Sequence, residues 1–267
     1  MKLRKLLALQ TALPRRLELV LWCALLAAMA WTSAALRPAQ AAEIAVAPEI
    51  QAVLDSIDRS PTDRETDRRR RPGETLTFFG VKSGMAVLDI GTGRGYTAEL
   101  LARVVGPKGS VVAQNDPLVL EKFLQNQLDP RFRQPTMRNV RHVVRQFDDP
   151  VPPNAGPFDL ITLVFAYHDT VWMGRDRKTM NQALFKSLKP GGHLVVVDHA
   201  GNPGTGATQT ETLHRIEETV VREELAAAGF KLIEEANFLR NPDDPRDAPF
   251  FRATVPVDEF ILKYAKP

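Results

Sequence analysis

Residues 87–96 read Val87-Leu88-Asp89-Ile90-Gly91-Thr92-Gly93-Arg94-Gly95-Tyr96. An apolar strand pattern runs into an acid, glycine then recurs at every second position, and a helical pattern follows over 97–105, with Leu100, Leu101, Val104 and Val105 on one side. A strand, a glycine turn and a helix start bring backbone N–H groups very close to whatever sits above them. The spacing narrows the ligand. Dinucleotide folds use G-x-G-x-x-G, and a P-loop needs Lys followed by Ser or Thr. Here the pattern is D-x-G-x-G-x-G with no such Lys, which excludes both. The bland alternative is a tight turn with no ligand.

Working outward, apolar strand runs alternate with helical patterns. Strands are expected at 86–90, 111–114, 140–145, 158–167, 193–197, 230–236 and 260–264, and helices at 48–60, 74–79, 97–105, 117–128, 175–187 and 208–228. In the helix over 48–60, Ile50, Val53, Leu54 and Ile57 share one face. Such alternation predicts an α/β fold with a mostly parallel sheet covered by helices on both faces. The last two strands have no helix between them, which predicts a C-terminal antiparallel hairpin. Its connection is long and holds Pro242, Pro245, Pro249, Phe250 and Phe251, and long loops in compact domains are often functional.

The first 41 residues read as a leader. Lys2, Arg4, Lys5, Arg15 and Arg16 precede an apolar run with Trp22, Leu25, Leu26 and Met29, and Ala39-Gln40-Ala41 supplies a small-x-small cleavage pattern. Cleavage after Ala41 would give an exported, periplasmic or secreted protein. Alternatively residues 17–36, about the twenty needed to span a bilayer, stay as an inner-membrane anchor. The chain has 35 Lys and Arg against 32 Asp and Glu; without the leader 29 and 31 remain, so the basic balance belongs to the leader and is no sign of nucleic-acid binding. The lone Cys23 also lies there. The expected organisation is a signal peptide at 1–41, an N-terminal helix and charged linker at 42–73, and the main domain at 74–267. The charged stretch, with Arg68-Arg69-Arg70-Arg71, is either a solvated linker or helix face, or an anion-binding lid over the cleft.

The turn at Asp89 resembles the first motif of the class I S-adenosylmethionine-dependent methyltransferases, and Leu188-Lys189-Pro190-Gly191-Gly192 before an apolar strand resembles their late motif. The resemblance implies a Rossmann-like seven-stranded sheet and S-adenosylmethionine as cofactor. It implies that Gly91, Thr92, Gly93 and Gly95 pass under the cofactor's amino-acid end, with Asp89 organising the turn and the ligand's ammonium. The family presents an acid to the ribose diol after the second strand. Asn115 falls at that position and Asp116 one later, so either the contact is weaker or Asp116 makes it. Asp148, with Phe147 as apolar cover, resembles the adenine contact. The segments Tyr167-His168-Asp169, Val197-Asp198-His199 and Leu213-His214-Arg215-Ile216 are similar to those of a family of predicted methyltransferases with exported members.

Tyr167-His168-Asp169 is expected to end the fourth strand beside the reacting methyl group, with Tyr167 as a cofactor contact. Methyl transfer to a hydroxyl needs in-line positioning and removal of a proton, and His is the usual base near neutral pH. The segment resembles the His-Asp pair of small-molecule O-methyltransferases, which makes His168 the candidate base and Asp169 its orienting or substrate-binding partner. Asp198, His199, His214 and Arg215 are candidate substrate residues, with Arg215 either holding an anionic group or pairing with Glu218 on a helix surface. A metal reading would gather His168, Asp198, His199 and His214, but no tight ligand spacing supports it, so no metal is expected. The expected partner is a small molecule rather than nucleic acid, and a membrane enters only through an uncleaved leader. Two other readings share these residues: a non-catalytic S-adenosylmethionine- or nucleoside-binding protein, suggested by the uncertain supply of that cofactor outside the cytosol, and a His/Asp metal-dependent hydrolase.

Overall fold

The computed structural model describes residues 44–125 and 129–267. The leader lies outside them. Among the described residues no helix is long and apolar enough to cross a membrane.

Helices α1 (Pro48–Leu54), α2 (Pro61–Arg70) and α3 (Pro72–Phe79) lead into a sheet whose strands are β1 (Ala86–Ile90), β2 (Ser110–Asn115), β3 (Val140–Val144), β4 (Phe158–Val164), β5 (Leu188–His199), β6 (Lys231–Ala236) and β7 (Glu259–Ala265). Their order is β3-β2-β1-β4-β5-β7-β6. The first five pair in parallel, and β7 runs antiparallel to both β5 and β6, so the expected hairpin is present. The remaining helices are α4 (Tyr96–Val105), α5 (Pro117–Phe123), α6 (Tyr167–Trp172), α7 (Arg177–Ser187) and α8 (Glu218–Ala227).

Strand residues alternate between two cores, one on each face of the sheet. Leu88, Ile90, Ile161 and Leu163 pack with Met180 and Leu184 of α7 and Val221 and Leu225 of α8. Val87, Val111, Leu160 and Val195 pack with Leu76 and Phe79 of α3 and Leu100 and Leu101 of α4. Every central strand is thus apolar on both faces, which is why these runs read as continuous.

Several expectations change. Helix α1 stops at Leu54, leaving Ile57 97 % exposed instead of on the apolar face. Of the readings of the charged stretch, the helix is the one found: it is helix α2, started by Ser60, whose hydroxyl accepts from the Asp63 N–H. Strand β4 ends at Val164, so Tyr167-His168-Asp169 opens helix α6. The expected long helix over 208–228 is helical only from Glu218; before it the chain makes turns in which Thr205, Thr208 and Thr210 hydroxyls donate to carbonyls three residues back. Threonine hydroxyls bonded locally in this way compete with helix. Arg215 completes the break, its buried guanidinium pairing with Asp244 at 2.8 Å and donating to the carbonyls of Ala200 and Ala248.

Candidate active site

In an open parallel sheet the ligand crevice lies beyond the carboxyl ends of the strands where their order reverses. That point falls between β1 and β4, and a cleft of about 370 Å³ opens there, within the range of small-molecule sites.

The glycine turn forms one wall. Gly91 has φ +68°, and a Cβ there would stand 2.4 Å from that of Ala166, so only glycine lets the turn approach β4. At Gly93 a Cβ would meet nothing within 4 Å. Asp89, Gly91, Thr92 and Gly93 all line the cleft. Gly95 does not; it starts α4 with φ +85°, packed under Phe132. Asp89 is buried. Its Oδ1 accepts from the Thr162 hydroxyl at 2.7 Å, while its Oδ2 has no hydrogen-bond partner. Burial pushes its pKa up to about 6, against the pull of the Thr162 and Thr92 hydroxyls and of Arg70. An unpaired buried carboxylate oxygen costs about 1–3 kcal/mol, a cost that a cationic donor in the cleft would remove.

The end of β2 behaves differently. Asn115 is turned into the protein, where its Oδ1 accepts from Gly93 N–H at 2.8 Å and its Nδ2 donates to Gly93 C=O at 3.0 Å. Asp116 caps α5 through the Leu118 N–H, accepts from the Phe147 N–H and pairs with Arg175 at 2.7 Å. Neither lines the cleft, so neither is placed to take a ribose diol. Phe147 does line it, with Val119, Phe123 and Leu124, whereas Asp148 does not. Among the described lining residues the carboxylates are Asp89 and Asp169.

The opposite wall is built on α6. Tyr167 points away into the core, donating to Glu224 at 2.7 Å and accepting from Asn181, and is no cofactor contact. His168 faces the cleft from between two carboxylates, with Nδ1 2.6 Å from Asp198 and Nε2 3.2 Å from Asp169. Burial opposes the charge on this ring, but the two carboxylates win and raise its pKa to about 10, so the imidazole is protonated at neutral pH. Asp198 sits behind His168, outside the cleft, fixed by the backbone N–H groups of His168 and His199. His199 and His214 line the cleft; Arg215 is committed to Asp244 instead of a substrate or Glu218. His199 is stacked between Phe165 at 4.6 Å and Phe250 at 4.7 Å, and burial holds it uncharged. Burial also pushes its neighbour Glu259 up to about 8, against the pull of Arg69 and Arg70.

Sequence reasoning did not single out Arg69, Arg70, Phe165 and Tyr96 as lining residues, although the lid alternative pointed to the arginine run. The guanidinium of Arg70 lies 4.9 Å from the Phe165 ring and 5.1 Å from that of Tyr96, with its Nε buried and unpartnered. No metal is expected from the sequence, and the four residues weighed for one do not converge as a set, but His168, Asp169 and His214 offer ligand atoms that all lie within 4.8 Å of one another.

Residues 72–203 match the protein-L-isoaspartate(D-aspartate) O-methyltransferase family. The ubiquinone/menaquinone biosynthesis C-methyltransferase UbiE of Saccharophagus degradans is 32% identical over 127 residues, 46% of this chain and 47% of its own. That of Idiomarina loihiensis is 29% identical over 124 residues, 46% of each chain. The chain therefore spans about half the length of these curated relatives. Among solved structures, a SAM-dependent methyltransferase from Aquifex aeolicus superposes with TM-score 0.54 at 20% identity, over 79% of this chain and all of that one. An arsenic(III) S-adenosylmethionine methyltransferase from Chlamydomonas reinhardtii gives 0.50 at 18% identity, over 82% of this chain and 73% of its own. Fold, glycine turn and matches together identify the chain as a class I S-adenosylmethionine-dependent methyltransferase. S-adenosylmethionine is the cofactor of that class, and two features of the cleft fit it: the unpartnered Asp89 oxygen for its ammonium, and the apolar wall of Phe147, Val119 and Leu124 for its base.

Proposed function

We propose that this protein transfers a methyl group from S-adenosylmethionine to an oxygen of a small molecule, and that it does so as an exported protein. One observation carries the reading. The cleft joins the glycine turn, with its unpartnered Asp89 oxygen, to a polar His-Asp cluster beginning two residues after Ala166, the residue that touches Gly91. The bound cofactor would supply an electrophilic methyl group. Asp89 would hold its ammonium, and Arg69 and Arg70, at the same cleft, would suit its carboxylate.

The acceptor hydroxyl would lie against His168, Asp169 and His214. His168, already protonated, is a hydrogen-bond donor there and stabilises charge developing on the oxygen; it is not the base that its sequence context suggests. The proton then leaves to His214 or to water. Polar donors and acceptors at this wall favour oxygen over the carbon acceptors implied by the names of the curated relatives.

A second reading, cofactor binding without turnover, rests on the end of β2, where Asn115 and Asp116 are both spent on the protein's own backbone. Calorimetry with S-adenosylmethionine, followed by product assays against phenols, carboxylic acids and thiols, separates the two. Methylated product from any of them is expected. Silence at millimolar cofactor would remove both readings, and binding without product would leave the second. Cell fractionation with N-terminal sequencing tests export; an intact leader in the cytosol would overturn it.

A further inference from the structure

We infer that His168, Asp169 and His214 form a binding site for one divalent ion of the zinc, iron, manganese and cobalt group, at the acceptor wall of the cleft. The three ligand atoms are brought together from two segments. His168 and Asp169 stand side by side at the start of α6, and His214 is delivered by the loop before α8, at a left-handed φ of 51°. Asp169 Oδ1 lies 3.2 Å from His168 Nε2 and 3.6 Å from His214 Nδ1. Atoms about 2.1 Å from a common metal at a tetrahedral angle stand about 3.4 Å apart, so these two separations bracket the required one, and the third pair lies within 4.8 Å.

One of the ligands is also oriented from behind, as metal ligands are. Asp198 takes His168 Nδ1 at 2.6 Å, which directs Nε2 to the cluster, and Asp198 is itself fixed by two backbone N–H groups. Trp172 Nε1 donates at 2.7 Å to Asp169 Oδ1, the ligand oxygen itself, which keeps a second lone pair for the ion. The rings of Trp172, Phe250 and Phe251 meet His214 edge to face. Two imidazoles and one carboxylate suit borderline transition metals rather than calcium or magnesium. All three ligands line the cleft, so the remaining coordination positions face the space where an acceptor would lie, the arrangement of an open rather than a closed metal site.

The role of the ion rests on the methyltransferase reading; its binding does not, and the ion displaces the proton of His168 Nε2, so that in the loaded protein the metal faces the acceptor in place of the imidazolium. In that role the metal takes the acceptor oxygen and lowers the pKa of its hydroxyl, whose proton passes to water. The oxygen then forms the new O–C bond as the C–S bond breaks, sulfur keeps the electron pair, and S-adenosylhomocysteine leaves as a neutral thioether.

The test uses the full chain, stripped with chelator and titrated with Co²⁺ while the visible ligand-field band is followed, with metal content measured after dialysis. One Co²⁺ per chain is expected. His214→Ala should weaken binding at least about 10-fold, and so should Asp198→Asn, which removes the orienting charge and one of its two acceptor oxygens. No ligand-field band, or equal binding in wild type and His214→Ala, would overturn the site and leave a His-Asp ion pair. Asp169→Asn provides the same comparison if His214→Ala fails to fold by circular dichroism. Calorimetry with S-adenosylmethionine on the same samples keeps the two ideas apart: metal binding without cofactor binding sinks the methyltransferase reading alone, and the reverse sinks the metal site alone.

Discussion

Strands β1 and β2 lie side by side, and both end in polar residues that the sequence offers as cofactor contacts, yet they spend them differently. Asp89 keeps one oxygen without a partner at the edge of the cleft. Asn115 and Asp116 have their polar atoms engaged by the protein: the first clamps Gly93 from behind, and the second holds α5, Phe147 and Arg175. A buried polar group left unpaired destabilises the free protein, so it marks a position kept for a ligand; a fully paired one marks scaffold. The acid of β1 therefore belongs to the chemistry and the polar pair of β2 to the frame that holds the glycine turn.

The largest effect expected from this contrast is at Asp89. Asp89→Asn keeps the shape and removes the charge, and S-adenosylmethionine affinity measured by calorimetry should fall by about 2–5 kcal/mol while the ligand-free fold remains. Unchanged affinity would mean that the unpartnered oxygen is not a ligand group, and the distinction between the two strand ends would fail.

Asp116→Ala should act in the opposite sense. It removes a helix cap, leaves a buried Phe147 N–H unpaired and frees Arg175, so chemical denaturation should show a loss of about 2–3 kcal/mol. A mutant of wild-type stability with impaired cofactor binding would instead make Asp116 a direct contact. Asn115→Asp sharpens the comparison further. It restores the acid expected for a ribose diol, but the new carboxylate cannot donate to the Gly93 carbonyl 3.0 Å away. Stability should fall by about 1–3 kcal/mol with no gain in cofactor affinity. Tighter binding in Asn115→Asp would show that the site lacks only that acid.

The same contrast explains what could be read in advance. Strand runs, the glycine turn and the C-terminal hairpin are local signals, set by side-chain alternation and spacing, and they stand in the order the sequence puts them, with the fourth strand three residues shorter and the fifth longer. Which way a strand-end side chain turns is not local. Asn115 faces inward because Gly93, twenty-two residues earlier, presents both an N–H and a C=O to it. His168 is enclosed between two carboxylates because Asp198, thirty residues later, arrives from the next strand. His214 sits in a left-handed bend instead of a helix because Arg215 is drawn to Asp244. Arg70 reaches the cleft because a charged helix docks against the glycine turn, a placement that charge runs in a sequence do not announce.

The smallest effect is a dependence on pH with opposite signs in the two states of the cleft. The folded-state pKa of Asp89 is raised from 3.8 to about 6 by burial. The free domain therefore binds more protons at this site than the unfolded chain does, so the contribution of Asp89 to stability is complete below the unfolded pKa and is lost as pH rises through about 6. Between pH 5 and 7 this amounts to roughly 1 kcal/mol, readable as the difference between wild type and Asp89→Asn in denaturant melts at each pH. Cofactor affinity should move the other way. A bound ammonium favours the ionised carboxylate, so binding strengthens as pH rises through the same interval in wild type and stays flat in Asp89→Asn. Parallel trends in stability and affinity, or the same affinity profile in both proteins, would assign the perturbed titration to burial alone and take Asp89 out of the binding site.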